Sequence, residues 1–185
     1  KGFWEHSLKV GALTKLLATE FNLNLQGEDF IAGLLHDIGK MVLWRQLGQQ
    51  YADIFQEGEG CGAALRKLEQ ERLGFDHADA ATVLASKWNL PDTLAHAMFC
   101  HHRRADRDLR QAKDPRLASA VRIANLASRD VFSGDSPASA KACRDEDAWR
   151  ELSTTGRPMA VADRFELLKT FRAEVDDMPT TAFHD

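Results

Sequence analysis

Residues 36 to 40 read His36-Asp37-Ile38-Gly39-Lys40, and they close the apolar stretch Phe30-Ile31-Ala32-Gly33-Leu34-Leu35. An imidazole beside a carboxylate at the end of such a segment is a mixed nitrogen and oxygen donor pair. That pair suits a divalent metal of borderline hardness. Two titratable groups ending a buried helix need partners in any case, since burying them unpaired is costly. His6, His77, His96, His101 and His102 extend the pair into an ordered series, and the seventh histidine, His184, sits in the tail. The intervals from His6 to His36 and from His77 to His101 each match about a helix pair. Rings so spaced can converge in an antiparallel bundle, where cofactor sites are built from facing helices.

Each ring has an ordinary reading as well. His6 shares an apolar stripe with Phe3, Val10, Leu13 and Leu17, which also suits a core imidazole bonded to a carbonyl. His77 follows Asp76 and suits a first-turn residue beside a cap. His101 and His102 suit a solvated helix end, where cations are favoured. Adjacent helical positions point ~100° apart, so these two reach one cluster only near a frayed end. His96 faces elsewhere.

The elements that must position these residues read as helices almost throughout. One runs from the N-terminus until Asn22 to Gly27 breaks it, and a second spans about Glu28 to His36. Gly39 permits a turn before an amphipathic piece from Met41 to Leu47. Residues 48 to 57 continue helical until Gly58 and Gly60. A further helix covers Cys61 to Leu73 with Ala64, Leu65 and Leu68 inward, and Gly74 suits its C-terminal end. Asp76 is an N-cap for His77 to Trp88, with Asp79 adding charge to the first turn. Pro91 opens a helix that reaches His101-His102. Asp114-Pro115 starts one over roughly 115 to 130. Residues 133 to 138 form a loop, two more helices lie near 145 to 153 and 159 to 175, and the tail from 176 to 185 is frayed. With no β alternation and no repeat, the fold class is all-α. Trp4, Trp44, Trp88 and Trp149 are expected in the core or filling grooves.

The chain's 185 residues are 44% apolar and 28% charged, ordinary for a globular domain. A net charge of −4 gives no broad footprint for nucleic acid. No run approaches the ~18 apolar residues of a membrane span. Cys61, Cys100 and Cys143 form no C-x-x-C, which argues against a disulfide framework and for a reducing, cytoplasmic setting. Lys1 reads as a cut end.

The segments Phe3-Trp4-Glu5-His6-Ser7, Ala32 to Lys40, Glu71 to Asp79 (ERLGFDHAD), Trp88-Asn89-Leu90-Pro91 and His101-His102 together resemble the HD superfamily of helical metal-dependent phosphohydrolases. They are most similar to its HDOD branch of bacterial signalling domains. The resemblance covers residues 3 to about 130 and implies an HD-superfamily helical bundle, the C-terminal HD-like half of an HDOD module. It divides the chain into an HD-like core over 1–130, additional helices packing on it over 131–175, and a flexible tail over 176–185.

By the same resemblance, His36 and Asp37 match the name-giving ligands, and His6, His77, His101 and His102 the further ligands of a binuclear centre. Lys40 matches a lysine that contacts substrate phosphate. Asn125 stands where the family's enzymes carry a final aspartate ligand, and Arg103-Arg104-Ala105-Asp106 replaces their Gly-Tyr-Pro motif. An amide oxygen is a neutral, weaker ligand than a carboxylate.

These departures favour a regulatory or scaffolding output domain that acts through signalling proteins or associated sensor and receiver domains. It would retain a degenerate, non-catalytic site for a divalent metal (Fe, Mn, Zn or Mg). The alternative is a metal-dependent phosphohydrolase acting on a nucleotide or cyclic dinucleotide, with Asp37 and Lys40 in catalytic roles. A third reading is a sensing module that binds without turnover. A phosphate-containing small ligand fits any of these, whereas nucleic acid and membrane do not. The run Arg103, Arg104, Arg107 and Arg110 reads as a solvated loop, as an anion-binding lip beside the site, or as a docking patch for an acidic partner.

Overall fold

Helix α1 (Gly2–Glu20) buries Ser7, Val10, Leu13, Thr14 and Leu17 along one stripe, and His6 lies one turn before Val10 on that same side. The computed structural model describes residues 2–25, 27–60, 62–102, 109–129, 137–153 and 159–178. α1 turns back at Asn22, which has positive φ, into α2 (Glu28–Leu35). The two helices cross closely: a Cβ on Gly33 would lie 2.7 Å from the Cα of Gly11. α2 stops at His36, and Asp37 leaves helical geometry for one residue, with φ −99° and ψ 6°. α3 (Ile38–Leu47) then begins at once. The His36-Asp37 pair is thus the joint between two helices, and that break turns both side chains inward.

Gly39 plays a different part from the turn residue that its sequence setting suggests. It lies inside the first turn of α3, where a Cβ would sit 1.8 Å from the carbonyl oxygen of His77 on α6 (His77–Lys87). Only a bare Cα lets α3 lie against the start of α6. Gly39→Ala must therefore push two backbones apart. The expected cost is about 3 kcal/mol, or a fall in Tm of roughly 6–12 °C in a chain of this size, measured by thermal unfolding.

α4 (Gln49–Glu57) and α5 (Gly62–Leu73) complete this side, with Leu43, Tyr51, Ile54, Leu65 and Ala80 in a small core. On α5 Leu65 and Glu69 are buried and Leu68 packs half-buried on the same core, while Ala64 is exposed. α6 starts as its sequence predicts. Asp76 accepts from the backbone N–H groups of Ala78 and Asp79, and the Asp79 carboxylate accepts from Asp76 N–H. α7 (Asp92–Cys100) leads to the paired histidines.

α8 (Pro115–Ala127), capped by Asp114, runs through the centre and is buried from Leu117 to Asn125. It packs with α1, α7 and α10 (Glu146–Leu152). Val10, Leu13, Leu17, Ile123, Ala124, Trp149, Leu152 and Leu168 belong to the main core, to which α11 (Val161–Asp176) contributes Leu168. α9 (Pro137–Cys143) is a helix that the sequence does not announce, since its first residues fall in the Ser/Gly/Pro/Asp stretch. Of the four tryptophans only Trp149 is core, its indole N–H donating to the Ala142 carbonyl. Trp4, Trp44 and Trp88 are 51%, 46% and 57% exposed, so none is core, although Trp44 lines a groove against Tyr51 and Phe55. Among the described residues there is no strand, and no helix is long and apolar enough to cross a membrane.

Candidate metal centre

Five imidazoles gather around one carboxylate. Asp37 is 1% exposed, and its two oxygens face two different sets of rings. His77 Nε2 and His101 Nε2 lie 3.3 and 3.4 Å from Oδ1. His36 Nε2 and His6 Nε2 lie 3.4 and 3.6 Å from Oδ2. His102 joins the first set, its Nε2 2.8 Å from that of His77. The donor atoms of Asp37, His77, His101 and His102 lie within 4.8 Å of one another, as do those of His6, His36 and Asp37. Asp37 is the member common to both groups.

The outer nitrogens explain why the rings point this way. His36 Nδ1 donates to the Gly33 carbonyl at 2.7 Å, and His101 Nδ1 donates to the Met98 carbonyl three residues back. Ser128 Oγ donates to the Asn125 carbonyl and lies 3.2 Å from His6 Nδ1, which can donate to it. His77 Nδ1 donates to Glu69 Oε2 at 2.7 Å. With Nδ1 holding the proton, the neutral form of each ring presents the Nε2 lone pair to the centre, the arrangement metal-ligating histidines adopt.

Two residues that support the site were not read from the sequence. Glu69 is fully buried and accepts from His77 Nδ1, the His77 backbone N–H and the Tyr51 hydroxyl. It lies four residues after Leu65, so helical spacing alone places it on the buried face. Arg122 is the one charge inside the apolar run of α8. Its guanidinium donates to the carbonyls of Cys100 and His102, which fixes the backbone carrying both histidines. That clamp lets two adjacent residues reach one centre just past the end of α7. His96 faces elsewhere, accepting from the Lys113 backbone N–H. Arg103, Arg104, Arg107 and His184 lie outside the described residues.

Burial is the largest influence on the rings. It pushes His6 and His101 down to about 3, and lowers His102 as well. Burial also acts against the charged form of His77, but hydrogen bonds to Asp37 and Glu69 outweigh it and raise that ring. Burial alone would raise Asp37. The Lys40 ammonium, 2.6 Å from Oδ2, and the neighbouring imidazoles hold it well below the usual carboxylate range.

The metal-free protein should consequently lose stability in mild acid. An unfolded histidine gains its proton near pH 6.5, whereas folded His6 and His101 resist it down to about 3. Between those values each ring costs about 1.4 kcal/mol per pH unit. His77, raised in the fold, is protonated in both states over that window and does not alter the slope. Denaturant titrations of chelator-treated protein from pH 7 to 4 should show this decline.

A metal fits the donor set. His36 Nε2, His101 Nε2 and Asn125 Oδ1 are all buried without a hydrogen-bond partner. Such orphaned groups each cost about 1–3 kcal/mol, a penalty that coordination would remove. Asn125, one turn before Ser128, lies on the α8 face that meets His6. The two groups differ in access. His6, Asp37, Lys40 and Ser128 line a cavity of about 1300 Å³, which His77, His101 and His102 do not line.

The HDOD domain model matches residues 1–104, more than half of the chain. The chain belongs to the HDOD family. Among solved structures, an HDOD domain protein of unknown function from Geobacter sulfurreducens superposes with a TM-score of 0.70 at 20% identity. The match covers 96% of this chain and 62% of that one. A candidate phosphohydrolase from Shewanella amazonensis SB2B gives a TM-score of 0.63 at 21% identity, covering 94% of this chain and 61% of that one. This HDOD chain thus spans about three-fifths of the length of either neighbour. No curated protein matches it. The all-α architecture is shared with these neighbours, and the His/Asp cluster of this HDOD domain could bind a metal.

Proposed function

We propose that this HDOD domain is a regulatory element of bacterial signal transduction in the cytoplasm, holding a divalent metal without turning over a substrate. Its state would pass to signalling proteins, or to attached sensor and receiver domains, by protein contact. The observation that carries this reading is Asn125: a buried amide oxygen, with no hydrogen-bond partner, where the family's enzymes use a carboxylate. A bound metal supplies Lewis acidity and a water of lowered pKa. A neutral ligand in place of an anion lowers affinity and leaves the donor set with less negative charge. Of the protein's own groups, Asp37 gathers both sets of rings, Glu69 orients His77 and Arg122 fixes His101 and His102. Lys40 keeps the lone carboxylate ionised.

Metal analysis of purified protein, paired with a screen on phosphodiester and nucleotide substrates, tests the proposal. Bound metal with no hydrolysis is the expected result, whereas robust turnover that Asp37→Ala abolishes would overturn it. Asn125→Asp should raise metal affinity about tenfold, read by competition with a chromogenic chelator. No change in that assay would count against Asn125 as a ligand position.

Metal-dependent phosphohydrolysis is the second reading. The specific observation in its favour is that His6 and the shared Asp37 line the open cavity, whereas His77, His101 and His102 do not, as catalytic sites keep a position open. The name given to the Shewanella neighbour points the same way.

A further inference from the structure

The cavity above the open group holds charge that the metal centre does not use. Most of its charged residues are paired. Lys9 binds Glu5 and Asp176, Arg172 binds Asp176 and the Ala127 carbonyl, and Lys40 binds Asp37. Arg129 differs. It directly follows Ser128, lines the same cavity as His6 and Asp37, and has no ion pair or hydrogen bond among the described residues. Its Nε is buried and unpartnered, and its Nη1 occupies the space left by Gly62, lying 2.8 Å from where a Cβ would be. A half-buried guanidinium held without an anion is costly unless a ligand completes it. Opposite in chemistry, Trp44 and Phe55 also line the cavity. The Trp44 indole stands edge-on to Phe55 and Tyr51, at 5.6 and 6.1 Å between ring centroids, and remains 46% exposed. That is a large flat surface held in place beside water.

We propose that Arg129 anchors the phosphate of a small phosphate monoester at the mouth of the centre, and that Trp44 and Phe55 hold the ligand's flat body. Guanidinium and phosphate match in a two-pronged hydrogen-bond geometry that an ammonium cannot reproduce. Lys40, paired with Asp37, lines the same cavity. The ring wall selects a planar ligand over inorganic phosphate, since stacking on an aromatic face adds about 1–3 kcal/mol. This deepens the regulatory reading, because a ligand at this place sits over the open half of the metal group.

Calorimetric titration of the metal-loaded chain with adenosine 5′-monophosphate, inorganic phosphate and adenosine tests it, with metal content measured on the same samples. The monophosphate should bind at least tenfold more tightly than either inorganic phosphate or adenosine. Arg129→Gln should weaken the monophosphate and phosphate by tenfold or more, with Arg129→Lys intermediate. Trp44→Ala should weaken the monophosphate by about tenfold, and adenosine likewise, while leaving inorganic phosphate unchanged. Circular dichroism of each variant confirms that it is folded, and Arg129→Lys carries the test if Arg129→Gln is not. Equal binding of phosphate and monophosphate, or binding indifferent to Arg129, overturns the proposal. Protein that keeps its metal but binds no monophosphate overturns it while leaving the metal reading intact. Protein that takes up no metal on loading yet binds the monophosphate through Arg129 supports the anchor and defeats the metal reading.

Discussion

Asp37→Ala is expected to abolish metal binding and, separately, to destabilise the metal-free protein by about 3–5 kcal/mol. The first effect follows from position. Asp37 supplies Oδ1 to His77 and His101 and Oδ2 to His6 and His36, so its loss removes the anion from both groups at once. Replacing His6 or His77 alone disturbs one group and should lower metal content only in part. The second effect follows from Lys40, which is 5% exposed and has Asp37 as its counter-charge. Without the carboxylate, a buried ammonium is left unpaired. The double variant Asp37→Ala/Lys40→Met separates the two effects. It should regain most of the lost stability, since the buried charge is gone, yet bind no metal. Chemical denaturation and elemental analysis of the three proteins give both readouts. A double variant as unstable as the single one would show that the loss is packing around Asp37 rather than the stranded charge.

The same pair shows why part of the site is legible in sequence and part is not. His36-Asp37 is visible because two polar residues end an apolar run, and the chain must break there to bring both inward. Asp76 and Asp114 are visible as caps because capping is local, settled by the residue and the three N–H groups after it. Gly39 is misread as a turn because its reason is not local. The carbonyl of His77, thirty-eight residues on, occupies the place of its side chain. Exposed Trp44 and Trp88 defeat a reading from hydrophobicity, since an indole on the surface is a statement about what the surface does. The convergence of His101 and His102 depends on Arg122, a contact twenty residues away that no periodicity encodes. Helices α9 to α11 are short or weakly patterned, and docking onto α1 and α8 decides them more than propensity does.

Glu69→Gln is expected to cost roughly 10–100-fold in metal affinity without removing any direct ligand. The Glu69 carboxylate accepts three hydrogen bonds, from Tyr51 Oη at 2.6 Å, His77 Nδ1 at 2.7 Å and the His77 backbone N–H at 3.1 Å. All three partners donate to the carboxylate; an amide offers one oxygen and one N–H₂ group, so it keeps all three only if its oxygen takes both His77 bonds and the Tyr51 hydroxyl reverses to accept. The negative charge that makes His77 a stronger base is lost as well. The His77 ring would then be free to take the other tautomer, which turns a protonated Nε2 toward Asp37 and removes the lone pair from the centre. Tyr51→Phe provides the control. It deletes one of the three bonds but touches neither the charge nor the His77 ring, so it should cost about 1 kcal/mol of stability and leave metal affinity nearly unchanged. Loss of affinity in both variants alike would mean that Glu69 acts by supporting the α5 packing. Loss confined to Glu69→Gln assigns the carboxylate the task of setting which nitrogen of His77 meets the metal.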